Sequence, residues 1–170
     1  FGEKKEELIS KLVFEDAVDN SSDKIHVYND ILYYLDQNKF LSSINLIDNK
    51  ILLNKVKISN DNSYYFFNNS LITYNYDSFI KVYNVDNNNL FWNSDLSEYI
   101  KNEDNIIAVT SQSQTLIIFF KSGNIFEFNS INGNIISHQN LKIKNIIDIK
   151  FSNDHFIINQ ENGKIILLKQ

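Results

Sequence analysis

From Lys24 to the end of the chain, Ile, Val, Phe, Tyr and Leu come in runs of four to eight residues, broken by clusters of Asn, Asp, Ser and Gly. No 3.6-residue period runs through this region, so the pattern predicts short, tightly connected antiparallel strands and an all-β fold. Thr115–Phe120 is apolar at nearly every position, as a strand covered on both faces must be. The first two dozen residues differ. Leu8, Ile9, Leu12 and Val13 share one helical stripe in a stretch rich in Glu and Lys, which predicts a short amphipathic helix over Glu3 to Phe14. Asp16 to Asp23, with Asp19, Asn20, Ser21 and Ser22, reads as a connector.

The strands repeat. Ile44-Asn45-Leu46-Ile47-Asp48 is followed by Asn49-Lys50-Ile51-Leu52-Leu53, Val82-Tyr83-Asn84-Val85-Asp86 by Asn87 to Trp92, and Ile125-Phe126-Glu127-Phe128-Asn129 by Ser130 to Ile136. Each copy is a strand ending in Asp or Asn, a polar turn and a second apolar strand, and the starts at Ile44, Val82 and Ile125 lie 38 and 43 positions apart. A fourth copy opens at Asn162-Gly163-Lys164-Ile165, which matches Ser122-Gly123-Asn124-Ile125, and the sequence stops before its turn and last strand. Two more strand candidates precede each copy: Lys24 to Tyr28 and Ile31 to Leu35, Ser63 to Phe67 and Leu71 to Tyr76, Asn105 to Thr110 and Thr115 to Phe120, Ile146 to Phe151 and His155 to Asn159. Four strands at this interval have the dimension of one β-propeller blade; a β-sandwich or barrel could also be built from strands this short, yet it would have no reason to repeat the same strand-turn-strand signature. The expected organisation is an N-terminal helix and linker over residues 1–23, then blades at about 24–58, 63–100, 105–143 and 146–170, some three and a half to four in all and part of a larger propeller. The turn between the last two strands needs a positive φ, for which Gly133 is suited and Asn89 is the nearest substitute. At its place in the repeat, Trp92 is expected to pack between blades.

Composition narrows the chemistry. Asn occurs 27 times and Ile 26 times, Ala twice, Pro and Arg never, a bias toward AT-rich codons in which Asn takes over the turn positions of a chain with four Gly. The net charge is -5 and every basic residue is Lys, so bidentate recognition of phosphate or guanine has no donor and nucleic acid is a poor partner. Without Cys there is no disulfide, thiolate metal site or cysteine nucleophile. No apolar run is long enough for a membrane-spanning helix and no signal-peptide pattern is seen, while the start at Phe1 and the lack of Met read as an excised or processed piece.

With an apolar residue, two variable ones, a second apolar residue, Asp or Asn, then a turn with Asn-Gly and sometimes Trp, the repeat resembles that of pyrroloquinoline-quinone-type propellers. Ile125, Phe128, Asn129, Asn132 and Gly133 fit it, with Ser137 where Trp would stand; Val82, Val85, Asp86 and Trp92 fit it too, with Asn89 filling a turn one residue shorter. The resemblance covers residues 24–170. It implies either a protein-binding scaffold, similar to the propeller lipoprotein of the outer-membrane β-barrel assembly machinery, or a fragment of a quinone-dependent dehydrogenase. Vicinal Cys are absent and Trp92 is the only Trp, which favours the scaffold: a non-enzymatic module holding protein partners through loops or a strand edge, in the periplasm or at the outer membrane.

The residues themselves supply no catalytic, cofactor or metal assignment. His26, His138 and His155 fall in a first, a fourth and the start of a second strand of different units, without ligand spacing. Asp16, Asp19 and Asp23 lack the Gly and closely spaced acceptors of a calcium loop. No Gly-x-Ser-x-Gly elbow and no phosphate-cradling Gly loop occurs. Asn20-Ser21-Ser22 and Asn68-Asn69-Ser70 are sequons of the kind this Asn content produces by chance. An uncovered blade face at the end of the arc predicts self-association.

Overall fold

The computed structural model describes residues 25–36, 38–58, 63–100, 104–152 and 155–169. Among them the chain forms fifteen strands and no helix. The first sheet is β1 (Ile25–Tyr28), β2 (Ile31–Leu35), β3 (Phe40–Asn45) and β4 (Ile51–Lys57), paired in that order. The second is β5 (Ser63–Phe67), β6 (Ser70–Tyr74), β7 (Phe79–Asn84) and β8 (Leu90–Asp95). The third is β9 (Ile106–Gln112), β10 (Thr115–Phe120), β11 (Asn124–Asn129) and β12 (Ile135–Asn140). The fourth holds three strands, β13 (Ile146–Ser152), β14 (His155–Gln160) and β15 (Ile165–Lys169). All pairs are antiparallel, as short loops require. The helix expected over Glu3 to Phe14 and the connector Asp16 to Asp23 lie outside the described residues.

The chain divides into two compact units. The first holds the first sheet together with Val85–Asn88. Its interior is built on β2 and β3, where Tyr33, Leu35 and Leu41 are fully buried. The Tyr33 hydroxyl donates to Asp86 Oδ1 at 2.6 Å. Burial first, and the Asp86 carboxylate second, push the Tyr33 phenol well above its usual range and hold it protonated.

The second unit comprises the remaining three sheets. Their first strands run side by side, with β9 between β5 and β13. The third sheet is covered on both faces, and the period of two along its strands divides its residues between two cores. Leu116, Ile118, Phe120, Phe126 and Phe128 pack with Ile72, Tyr74, Ile80, Val82 and Trp92 of the second sheet. Ile117, Phe119 and Ile125 pack with Ile146, Ile149 and Ile158 of the fourth. A register shift between Phe119 and Phe120 against β9 puts Ile106 and Val109 into the first of these cores although they are three apart. Two-sided burial is therefore the physical reason for the unbroken apolar run of β10.

Trp92 packs between sheets as expected. Its ring stacks on Phe128 at 5.4 Å between centroids, and its Nε1–H donates to the Ser130 carbonyl at 3.0 Å. The Ser130–Asn134 turn therefore sits on the Trp92 ring, and a Cβ added at Gly133 would lie 2.4 Å from it. Gly133 also has φ +73.

The turn series corrects the sequence reading in three ways. Asn45, Asn84 and Asn129 each donate their N–H to the carbonyl five residues on, at Lys50, Asn89 and Asn134, so the three turns are equal in length. The left-handed position opposite Gly133 is filled by Asn49 (φ 58) and Asn88 (φ 57), and not by Asn89. In addition, Leu46 to Asp48 and Val85 with Asp86, read as strand ends, belong to the turns. Asn45 starts its turn early because its Oδ1 accepts the Ile47 N–H at 2.8 Å, an Asx turn that competes with the ladder.

Candidate functional site

Two features stand out, both in the second unit. One is a buried polar network at an end of the third sheet. Asp104, 7% exposed, precedes β9, and its Oδ1 accepts the N–H groups of Asn105 at 2.9 Å and Ser122 at 3.1 Å. The Ser122 hydroxyl donates to Asp104 Oδ2 and accepts from Asn124 Nδ2 at 2.7 Å. Asn124 Oδ1 in turn accepts from Asn140 Nδ2 at 2.9 Å and lies 3.0 Å from His138 Nε2. An amide oxygen only accepts, so this network assigns the proton to Nε2. The imidazole stacks on Phe126 at 4.5 Å and meets Tyr99 at 4.8 Å, and burial lowers its pKa from 6.5.

This network contains Ser, His and Asp in the wrong order for a nucleophile. The imidazole bonds to Asn124, and Asn124 separates it from the Ser122 hydroxyl. Its groups satisfy one another, so their effect is to fasten the connection carrying Tyr99 and Asp104 to the β10–β11 turn and to β12.

The other feature is the edge of the fourth sheet. β15 pairs with β14 on one side, and among the described residues no strand pairs with the other. Gln160 N–H donates to the Lys164 carbonyl at 3.0 Å, which makes that pair the hydrogen-bonded kind. Alternation along the ladder then aims the N–H and C=O groups of Ile165 and Leu167 at the open edge. Beside it lies a cavity of about 450 Å³, with Phe156 and Leu168 on one wall and Ile117, Phe119, Ile125 and Glu127 on the other. The Glu127 side chain has no hydrogen-bond or ion-pair partner among the described residues.

His26 on β1 stacks with Tyr28, His155 opens β14, and His138 enters the network. Among the described residues no three of His, Asp and Glu stand together as a metal site. Asp16, Asp19, Asp23 and the Asn20 sequon lie outside the described residues, while Asn68 sits exposed in the β5–β6 turn with φ 51. Sequence reasoning missed Asp104, Ser122 and Asn124. Their one trace was Ser122-Gly123-Asn124, read only as a repeat signature.

No family profile and no curated protein matches the sequence. Solved structures do match. BamB from Moraxella catarrhalis aligns with a TM-score of 0.60 at 12% identity, over 86% of this chain and 42% of its own. The C-terminal WD40 domain of Sif2 gives 0.60 at 12%, over 85% and 42%. The computationally designed Ika4 protein gives 0.58 at 10%, over 90% and 95%. The four-strand units and these neighbours together define the chain as a β-propeller. At such identities the likeness assigns the fold and no repeat family, and the chain spans less than half the length of BamB or the Sif2 domain.

Proposed function

We propose that the protein is a non-enzymatic, protein-binding propeller whose binding surface includes the exposed apolar side of β15. The observation that carries this reading is that side of the strand, where Ile165 and Leu167 place apolar side chains at the surface, the kind of patch that marks a protein contact. The likeness to BamB supports a narrower form, a scaffold in outer-membrane protein assembly. A photoreactive amino acid placed at Leu167 of the full-length protein, in its own cells, tests both forms. A discrete protein adduct, absent from the same probe at Ile131 on an exposed turn, is the expected result. Adducts with envelope-assembly components support the narrower form. Equal, diffuse labelling from both positions would refute the reading.

A further inference from the structure

We infer that a cleft between the second and third sheets, at the end that carries the β5–β6 and β9–β10 turns, binds one ring of a neutral saccharide, a ligand class separate from the protein partner proposed above. The cleft holds about 210 Å³, and its buried lining is Ile72, Val82 and Leu116 of the core that these two sheets share. Pockets for drug-sized ligands run to about 300–1,000 Å³, so this one takes something smaller, of the size of one pyranose ring. Trp92 forms one wall, its ring already covered by Gly133. Phe91, next along β8, is half-exposed and lines the same cleft.

The polar part of the lining specifies the ligand. Asn69, Ser70, Ser111 and Ser113 reach the cleft, and their side chains make no hydrogen bond among the described residues. Turn side chains elsewhere are committed: Asn45, Asn129 and Asn132 accept backbone N–H groups of their own turns. A Ser hydroxyl both donates and accepts, and an amide does so through its two atoms, which matches a ring of hydroxyl groups that also do both. No Lys, Asp or Glu lines the cleft, and the turns Asn68-Asn69, Ser113-Gln114 and Ser130–Asn134 around it hold none, in a chain with 22% charged residues. A carboxylate or phosphate entering it would lose water without gaining a counter-charge, so the lining favours a neutral ligand. The Phe91 ring offers an apolar face to the C–H side of the sugar.

The test titrates the full chain with the methyl glycosides of glucose, galactose and mannose and with those of the matching uronic acids, which carry a carboxylate. Saturation-transfer NMR detects the bound ring, and Trp92 fluorescence reports on the wall. Saturable binding of at least one neutral glycoside is expected, with Kd on the order of 1 mM for a ligand of about a dozen heavy atoms, and its uronate should bind about tenfold more weakly. Phe91→Ala and Ser111→Ala, both at exposed positions, should each weaken binding by about threefold to tenfold. Tyr76→Ala, in the exposed β6–β7 turn at the other end of the second sheet, should leave it unchanged. A variant that keeps the β-type circular dichroism spectrum separates lost binding from lost fold, and either of the two suffices. Absence of saturable binding by all three neutral glycosides overturns the inference, as does equal affinity for the uronates or an affinity that folded Phe91→Ala and Ser111→Ala leave unmoved. None of these outcomes depends on what crosslinking at Leu167 finds.

Discussion

At the scale of single residues, Gly133 is held by two independent constraints. Its φ of +73 is one that side chains with a Cβ rarely adopt, and the face of Trp92 fills the space a Cβ would take. Gly133→Ala is expected to cost about 1–3 kcal/mol from backbone strain, and more because the ring must move. In a Trp92→Ala background the cost should shrink to the strain alone, and urea unfolding of the four variants measures the difference. A cost equal in both backgrounds would mean that ring and turn are not in contact. His138 carries a pH prediction. Burial lowers its folded pKa from 6.5, so as pH falls below 6.5 the unfolded chain takes up the proton first and stability declines. His138→Gln keeps a donor for Asn124 and should flatten that part of the decline; an identical acid profile would refute this.

At the scale of elements, the strands were legible where burial dictates sequence and illegible where turns do. Ile31–Leu35, Ser63–Phe67 and Thr115–Phe120 were read with the bounds they have, because an apolar run without period leaves a short segment few alternatives. The third strands of the first two sheets were placed late because Leu46, Ile47 and Val85 are apolar yet lie in turns, and Val85 is fully buried there. Apolar pattern is read as burial, and it misleads both where a turn is tucked into a core, as at Val85, and where an apolar side chain stands exposed in a turn, as at Ile47. The polar network was invisible for a different reason: its bonded partners lie up to 18 positions apart and meet only once the hairpins have closed. Turn chemistry also yields an expected gain in stability. Asn88 holds a left-handed conformation that Gly adopts at less cost, and its Oδ1 is buried without a hydrogen-bond partner among the described residues. Asn88→Gly should therefore stabilise by about 0.5–1 kcal/mol, the relief of strain and desolvation outweighing the greater freedom of Gly in the unfolded chain. A fall in Tm would show that Asn88 makes a bond its surroundings do not reveal.

At the scale of the whole molecule, the internal repeat predicts behaviour in solution. The turns closed by Gly123 on Phe120 and by Gly163 on Gln160 have matching geometry, so β14 and β15 can be superposed on β10 and β11 residue by residue. In that register Ile157 takes the place of Ile117, and Ile165 that of Ile125. Ile125 is 3% exposed because the fourth sheet covers it, whereas Ile165 is 69% exposed and Leu167, beside it, 63%. The outer face of the fourth sheet is thus built like an interior blade face, tempered by the Lys150–Asp148 ion pair at 3.2 Å and by Asn159 in the place of Phe119. Covering Ile165 and Leu167 would remove apolar surface worth about 1.5–3 kcal/mol per side chain, enough for weak association at concentrations from about tens of micromolar to millimolar. The 170-residue chain is therefore expected to self-associate, its mean mass in sedimentation rising with concentration. Ile165→Lys combined with Leu167→Lys should return it to a monomer with an unchanged β-type circular dichroism spectrum, since both side chains point away from the core that the fourth sheet shares with the third. A wild-type chain that stays monodisperse at all concentrations would mean that this face is already covered within one molecule, as it is in a closed ring.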